Sequence, residues 1–215
     1  IKRGWLIKPS IIFEPIKDNV SYKSYPKIYA EAISKNGGFN AHVAEQAKYL
    51  IEHGLSVLIL VQHYHQGEML KTMIPNTEFL TGKMKTDKRS EFFEELRSRK
   101  KMCLIATSLA DEGLDIPTLD AVLLAGGGSS ATRVNQRIGR TLRKPKGDLS
   151  NSKKRSIVII YEHDSRYLEK HALKVRRILK REKEFEIINS KGREFIFDEL
   201  DAVMGNTPSP RSVFD

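Results

Sequence analysis

Six short runs along the chain carry apolar, mostly β-branched side chains with little polar alternation: residues 11–16, 57–61, 78–80, 102–106, 121–125 and 156–161. A strand that is apolar without alternation is covered on both faces, which is the condition of a parallel sheet. Between these runs the apolar period lengthens to that of a helix, over residues 41–53, 66–73, 87–99, 131–142 and 165–181. Strand and helix therefore alternate, which predicts an α/β fold with a mainly parallel sheet of about six strands flanked by helices on both faces. The end of the chain breaks the rhythm. Residues 184–189 and 194–197 flank Ser190, Lys191, Gly192 and Arg193 and read as a hairpin. Residues 205–215 carry two prolines and little to bury, and are expected to be flexible. The chain divides into residues 1–20, a linker or strand arriving from a preceding lobe, residues 21–200, one domain, and residues 201–215, a tail.

Charge changes this picture more than length does. The net charge is +10. Residues 137–155 carry net +7 and residues 166–183 net +6, so the remainder is slightly acidic and the positive charge belongs to one half of the chain. An acidic polymer is the partner that such a distribution fits. The single cysteine, Cys103, lies inside an apolar run and cannot form an intrachain disulfide, which fits a reducing setting. No apolar run approaches the length of a membrane span and no secretory leader pattern opens the chain, so a soluble protein of the cytoplasm or nucleoid is expected. A chain opening on Ile1 reads as a piece of something longer.

The chemistry concentrates in Gln136-Arg137-Ile138-Gly139-Arg140-Thr141-Leu142-Arg143. At about 100° per residue, Val134, Ile138 and Leu142 form one stripe while Gln136, Arg140 and Arg143 fall together on the opposite side. Such a helix packs by one side and presents two guanidiniums on the other. Guanidiniums stay charged and offer planar forked donors to phosphate oxygens, so a pair facing a triphosphate stabilises the charge that develops in phosphoryl transfer. An amphipathic basic helix on a solvated surface fits the same spacing.

Four elements in order resemble superfamily 2 helicases over roughly residues 40–165. The segment from Gln136 to Arg143 resembles their motif VI, and the run from Ala106 through Gly113, Asp115 and Pro117 resembles motif V. Upstream, Val57 to Gln62 resembles motif IV, and Leu80-Thr81-Gly82 the short threonine-glycine element that follows it. The turn Gly127-Gly128-Ser129-Ser130 before motif VI resembles the XPB-like and phage UvsW-like branch of duplex-DNA translocases.

The resemblance implies a C-terminal RecA-like lobe, a three-layer sandwich that completes an ATP site held mainly by an N-terminal RecA-like lobe. It implies that Arg140 and Arg143 reach the γ-phosphate, that Gln136 couples this contact to motif V, and that Gly113 and Asp115 lie beside the nucleotide. Thr107, Gly82 and Gln62 would contact the nucleic-acid backbone, joined by Lys144 and Lys146 from the basic loop. ATP and Mg²⁺ are the implied cofactors. Gln136, where the DEAD-box relatives carry His, puts DNA ahead of RNA as the strand. These residues include no phosphate-binding or Mg²⁺-holding element of their own, so the isolated chain is expected to be inactive as an ATPase.

Other signals are weaker. Gly126-Gly127-Gly128-Ser129-Ser130-Ala131 satisfies G-x-G-x-x-A after a strand, a dinucleotide-binding hint, but the acidic residue required about 20 positions later is only Asp148 in a basic loop. A nucleic-acid-binding module that keeps the RecA shape without using ATP is a further alternative. His63-Tyr64-His65 has no Cys or carboxylate beside it and reads as a helix start, so no metal site is expected. Leu168, Ala172, Val175 and Leu179 form an ordinary packing stripe, opposite a basic face of Lys170, Lys174, Arg177 and Arg181.

Overall fold

The computed structural model describes residues 9–82, 84, 86–107, 119–127 and 156–206. Within them, seven strands form one sheet: β1 (Ser10–Ile16), β2 (Val57–Val61), β3 (Thr77–Leu80), β4 (Cys103–Thr107), β5 (Ala121–Leu124), β6 (Ile157–His163) and β7 (Glu186–Asn189). Their order is β3-β4-β2-β5-β6-β1-β7, and every pairing is parallel. All strand C-termini consequently point to one edge, the edge at which parallel α/β sheets gather their functional groups.

Among the described residues six helices cover the sheet: α1 (Tyr25–Tyr29), α2 (Gly37–Glu52), α3 (Tyr64–Met73), α4 (Thr86–Arg97), α5 (Arg166–Leu179) and α6 (Ile196–Met204). Helix α1 continues directly into a π-helical turn, Ala30–Ser34, closed by the Lys35 N–H donating to the Ala30 carbonyl at 2.8 Å. Alternate strand residues feed two cores. On one face Ile12, Ile59, Ile105, Leu123 and Ile159 meet α1, α2, α3 and α6; on the other Phe13, Leu58, Leu104, Val122 and Ile160 meet α4 and α5. The five residues of β2 are all buried, as a central strand covered on both faces must be. The three-layer architecture read from the apolar periods is the observed one, with seven strands where about six were expected.

Two departures have physical causes. The expected hairpin at residues 184–197 does not form. Residues 186–189 instead pair in parallel with β1, Ile11 opposite Ile187, and the chain turns at Gly192 (φ +124°) into α6. Asp198 and Glu199 sit in the first turn of that helix, where carboxylates favour the positive end of the helix dipole. Ile196, Leu200 and Met204 bury its inner stripe, so packed structure extends to Met204. Strand β1, in the segment read as arriving from a preceding lobe, lies inside the sheet between β6 and β7. The expected helix over residues 131–142 and most of the expected flexible tail lie outside the described residues.

Helix α5 largely follows the expected packing stripe: Leu168, Val175 and Leu179 are buried and Ala172 half-buried, while Lys170, Lys174, Arg177 and, just beyond the helix, Arg181 are exposed. Cys103 is buried and free, and burial pushes its thiol up to about 12 against an opposing hydrogen bond with Thr77. Among the described residues no helix is long and apolar enough to cross a membrane.

Candidate functional site at the strand C-termini

Three of the residues marked in the sequence come together at the C-terminal edge of the sheet. Val61 pairs with Thr107, and Leu80 pairs with Ala106, so Gln62, Thr107 and Gly82 follow one another on the ends of three adjacent strands. Gly126, just beyond β5, continues the row on the other side of β2. At about 4.8 Å per strand the row from Gly82 to Gly126 extends over roughly 14 Å. Gln62 and Gly82 are exposed and Thr107 is half-buried, so this edge presents small or polar groups and accessible main chain. Nothing lies within 4 Å of where a Gly82 side chain would begin.

The remaining marked residues, Gly113, Asp115, Gln136, Arg140, Arg143, Lys144 and Lys146, lie outside the described residues. Their segments start from this edge all the same: the chain leaves β4 at Thr107 before Gly113 and Asp115, and leaves β5 before the motif VI residues. Strands β4 and β5 are the two neighbours of β2.

The sequence reading missed how firmly the β5 exit is held. The Gly126 N–H donates to the Leu60 carbonyl at 2.8 Å, and the buried Tyr29 hydroxyl donates to the Gly126 carbonyl at 2.7 Å. Gln66 Nε2, from the first turn of α3, donates to the Ala125 carbonyl at 3.0 Å and to Asn40 Oδ1 at 3.1 Å. Asn40 in turn donates to the carbonyls of Ile33 and Asn36, both at 2.8 Å, tying the π-helical turn to α2. Elements from three parts of the chain thus fix one turn. Burial, with the Tyr25 phenol as a smaller contribution, raises the Tyr29 pKa, so this hydroxyl stays a donor. The ring of His63 rests against Tyr29 at a centroid distance of 4.7 Å. Among the described residues no cluster of three metal-ligating side chains exists.

The glycines of the turn have packing reasons to be glycine. A Cβ on Gly126 would stand 2.8 Å from the Gln62 nitrogen and 3.0 Å from the Val61 carbonyl carbon, and Gly127 has φ +56° with Ile33 Cδ1 2.5 Å from its would-be Cβ. Close approach of the β2 backbone accounts for Gly126, and the positive φ beside the Ile33 side chain accounts for Gly127, without a dinucleotide.

Farther along the sheet, two buried polar groups brace β1 against β6. Glu14, fully buried, bonds His42 Nε2 at 2.6 Å and accepts from Gln46 Nε2 at 2.7 Å, while the Tyr161 hydroxyl donates to Gln46 Oε1 at 2.8 Å. Asp18 bonds His163 Nδ1 at 2.6 Å and accepts from the Ser165 hydroxyl. The Ser165 hydroxyl bonds the carboxylate and not the imidazole, so the three do not form a nucleophile and base pair.

A parallel sheet wrapped on both sides, with its exposed polar and glycine positions gathered at the strand C-termini, is the arrangement of doubly wound α/β domains, of which the RecA-like lobe is one. Residues 41–145 match the family described as the helicase conserved C-terminal domain. Residues 41–145 thus belong to the helicase C-terminal family, and the chain's fold is that of the C-terminal RecA-like lobe of superfamily 2 helicases. It is 29% identical over 166 residues to "Putative helicase 22" of Sulfolobus islandicus filamentous virus, covering 73% of this chain and 28% of that protein. It is 25% identical over 150 residues to "Putative DNA 3'-5' helicase Rad25" of Haloarcula marismortui, covering 67% of this chain and 24% of the relative. Among solved structures T4 UvsW superposes with a TM-score of 0.66 at 17% identity, over 85% of this chain and 41% of that one. The chain spans about a quarter of the length of these curated relatives.

Proposed function

We propose that this chain is the second motor lobe of an ATP-dependent nucleic-acid helicase or translocase that acts on DNA. Arg140 and Arg143 supply guanidiniums to the γ-phosphate of ATP held mainly by the N-terminal lobe, and Gln136 links them to the loop of Gly113 and Asp115. Gln62, Gly82 and Thr107 bear on the phosphate backbone, with Lys144 and Lys146 adding charge. Mg²⁺ is held on the partner lobe with the triphosphate. Closing of the two lobes brings the arginines to the phosphate, and opening after hydrolysis moves the lobes by a step along the strand.

The observation that carries this reading is the shared edge. Gly82, Thr107 and Gln62 stand on adjacent strand ends, and the segments bearing the remaining marked residues leave the sheet from the strands on either side of β2. Phosphate contacts of this kind read no sequence, so binding is non-specific and falls with salt. The preference for DNA rests on Gln136 at the first position of motif VI and on the Rad25 relative, whose name specifies DNA.

In the full-length protein, Arg140→Ala should lower kcat for nucleic-acid-stimulated ATP hydrolysis by roughly 10³ to 10⁵. A kcat within about threefold of the parent would defeat the assignment. The 215 residues alone should show no turnover, and activity abolished by Arg140→Ala in that chain would mean that the ATP site is complete without another lobe.

A further inference from the structure

Helix α5 carries a feature that the motor reading does not use. At about 100° per residue, Arg166, Lys170, Lys174 and Arg177 fall within roughly an 80° arc, opposite the buried Leu168, Val175 and Leu179, and Arg181 follows just beyond the helix end. All five cations are exposed. None has an ion-pair partner among the described residues. Arg176, the one cation of the helix that turns sideways, is neutralised by Glu162 and lies over the Phe13 ring at 4.2 Å. Within the helix these exposed cations form a row about 16 Å long, with a cation at nearly every turn and Glu169 as the one exposed carboxylate of the helix, to the side of the row.

A merely solvated helix does not look like this. Helix α4 covers the same face of the sheet and provides the comparison: it interleaves Asp87, Glu91, Glu94 and Glu95 with Lys88, Arg89 and Arg97, and pairs Arg97 with Glu94. Mixed signs are what solubility asks of a surface. Like charges three or four residues apart weaken a helix, so a one-sign row opposes the stability of α5 unless a counter-charge is present in use. A protein partner would need aromatic or large apolar anchors among the cations. The face offers only Leu173, 51% exposed, and no aromatic ring other than Tyr167 beside Arg166. A regularly repeating anion fits better. The row also begins at the right place, because α5 leaves the C-terminal end of β6 and runs back to the start of β7. Its Arg166 end thus lies at the edge that carries Gln62, Gly82 and Thr107.

We propose that the exposed face of α5, centred on Lys170, Lys174 and Arg177, is a second track for the phosphate backbone of duplex DNA, outside the motif-bearing edge. The proposal rests on the nucleic-acid reading above and extends the contact onto a face that no motif covers.

The test is the salt dependence of binding, read by anisotropy of a short labelled duplex of mixed sequence against the 215-residue chain. Neutralising two phosphate contacts lowers the slope of log K against log salt by about 1.8, so Lys170→Gln with Lys174→Gln should remove roughly tenfold of the affinity change seen over a fourfold salt range. The control pair Lys88→Gln with Lys100→Gln removes the same charge from exposed positions on and just after α4, and should leave the slope within about 0.3 of the parent. Every substituted side chain is exposed, so no variant should melt well below the parent, and the α5 pair, which relieves a like-charge i,i+4 contact, should melt at or slightly above it. An unchanged slope in the α5 variant, or an equal fall in the control, overturns the proposal. A parent chain that does not bind duplex at all removes the nucleic-acid reading itself, whereas a parent that binds with an α5 variant of identical slope removes only the second track.

Discussion

Replacing Gly126 by alanine tests whether the β5 exit is held as tightly as its contacts imply. The added methyl would stand 2.8 Å from the Gln62 nitrogen, 3.0 Å from the Val61 carbonyl carbon and 3.3 Å from the Val61 Cα, all main-chain atoms of a central strand that cannot rotate away. Relief requires β2 and the turn to separate by about half an ångström, and overpacking of this kind costs about 1–3 kcal/mol. The same movement stretches the 2.8 Å bond from the Gly126 N–H to Leu60 and the 2.7 Å bond from Tyr29. Weakening them adds about 1 kcal/mol. The sum, about 2–4 kcal/mol, should lower the melting temperature by roughly 5–15 °C in a chain of this size. Thermal unfolding followed by circular dichroism reads this directly. A Gly126→Ala protein that melts within about 1 °C of the parent would show that the close backbone approach, and the packing reason for this glycine, are wrong.

Two further outcomes follow from the same geometry. Gly82→Ala has open space for its methyl, so its melting temperature should stay within about 2 °C of the parent while affinity for nucleic acid falls at least severalfold; unchanged affinity by anisotropy would remove Gly82 from the backbone contact. Burial raises the pKa of Tyr29, Tyr161 and Cys103, with neighbouring Tyr25 and Glu14 adding to the two tyrosines, so the unfolded chain loses these protons first. Stability is therefore full below the unfolded values of about 8.5 for Cys and 10 for Tyr, and declines as pH rises above them. Urea midpoints should fall between roughly pH 8 and 10.5, with a shallower fall in Tyr161→Phe, and a flat profile would contradict the burial argument.

Much of the fold was legible because burial on both faces leaves an unmistakable imprint on short strands. Val57–Val61 has no polar residue to place on either side, and only the centre of a covered sheet accepts that. The edge was harder to read. Glu186–Asn189 is a short, half-exposed strand with polar ends, and a nearby glycine with apolar residues beyond it imitates a hairpin, while the true partner, β1, lies some 176 residues away in sequence. Ile196, Leu200 and Met204 at i, i+4 and i+8 held the helical signal that the hairpin reading overrode. The short α1 and its π-helical turn were missed although Ile28, Tyr29, Ala32 and Ile33 repeat at helical spacing, because Pro26 and five residues are too little for a periodic reading. At the site, three of the marked residues, Gln62, Gly82 and Thr107, lie on one edge of the sheet. The clamp of Tyr29, Asn40 and Gln66 left no trace in the sequence, since most of its bonds go to main-chain carbonyls whose positions exist only after folding.

The place of β1 has a consequence for how the chain becomes a protein. Both of its neighbours are supplied by residues 157–163 and 186–189, so a nascent chain carries an apolar strand with no partner until most of the described sequence has been made. Pairing over such separations is slow and leaves an unpaired edge open in the interval. Premature truncation anywhere before β6 should yield an aggregating product instead of a smaller folded one.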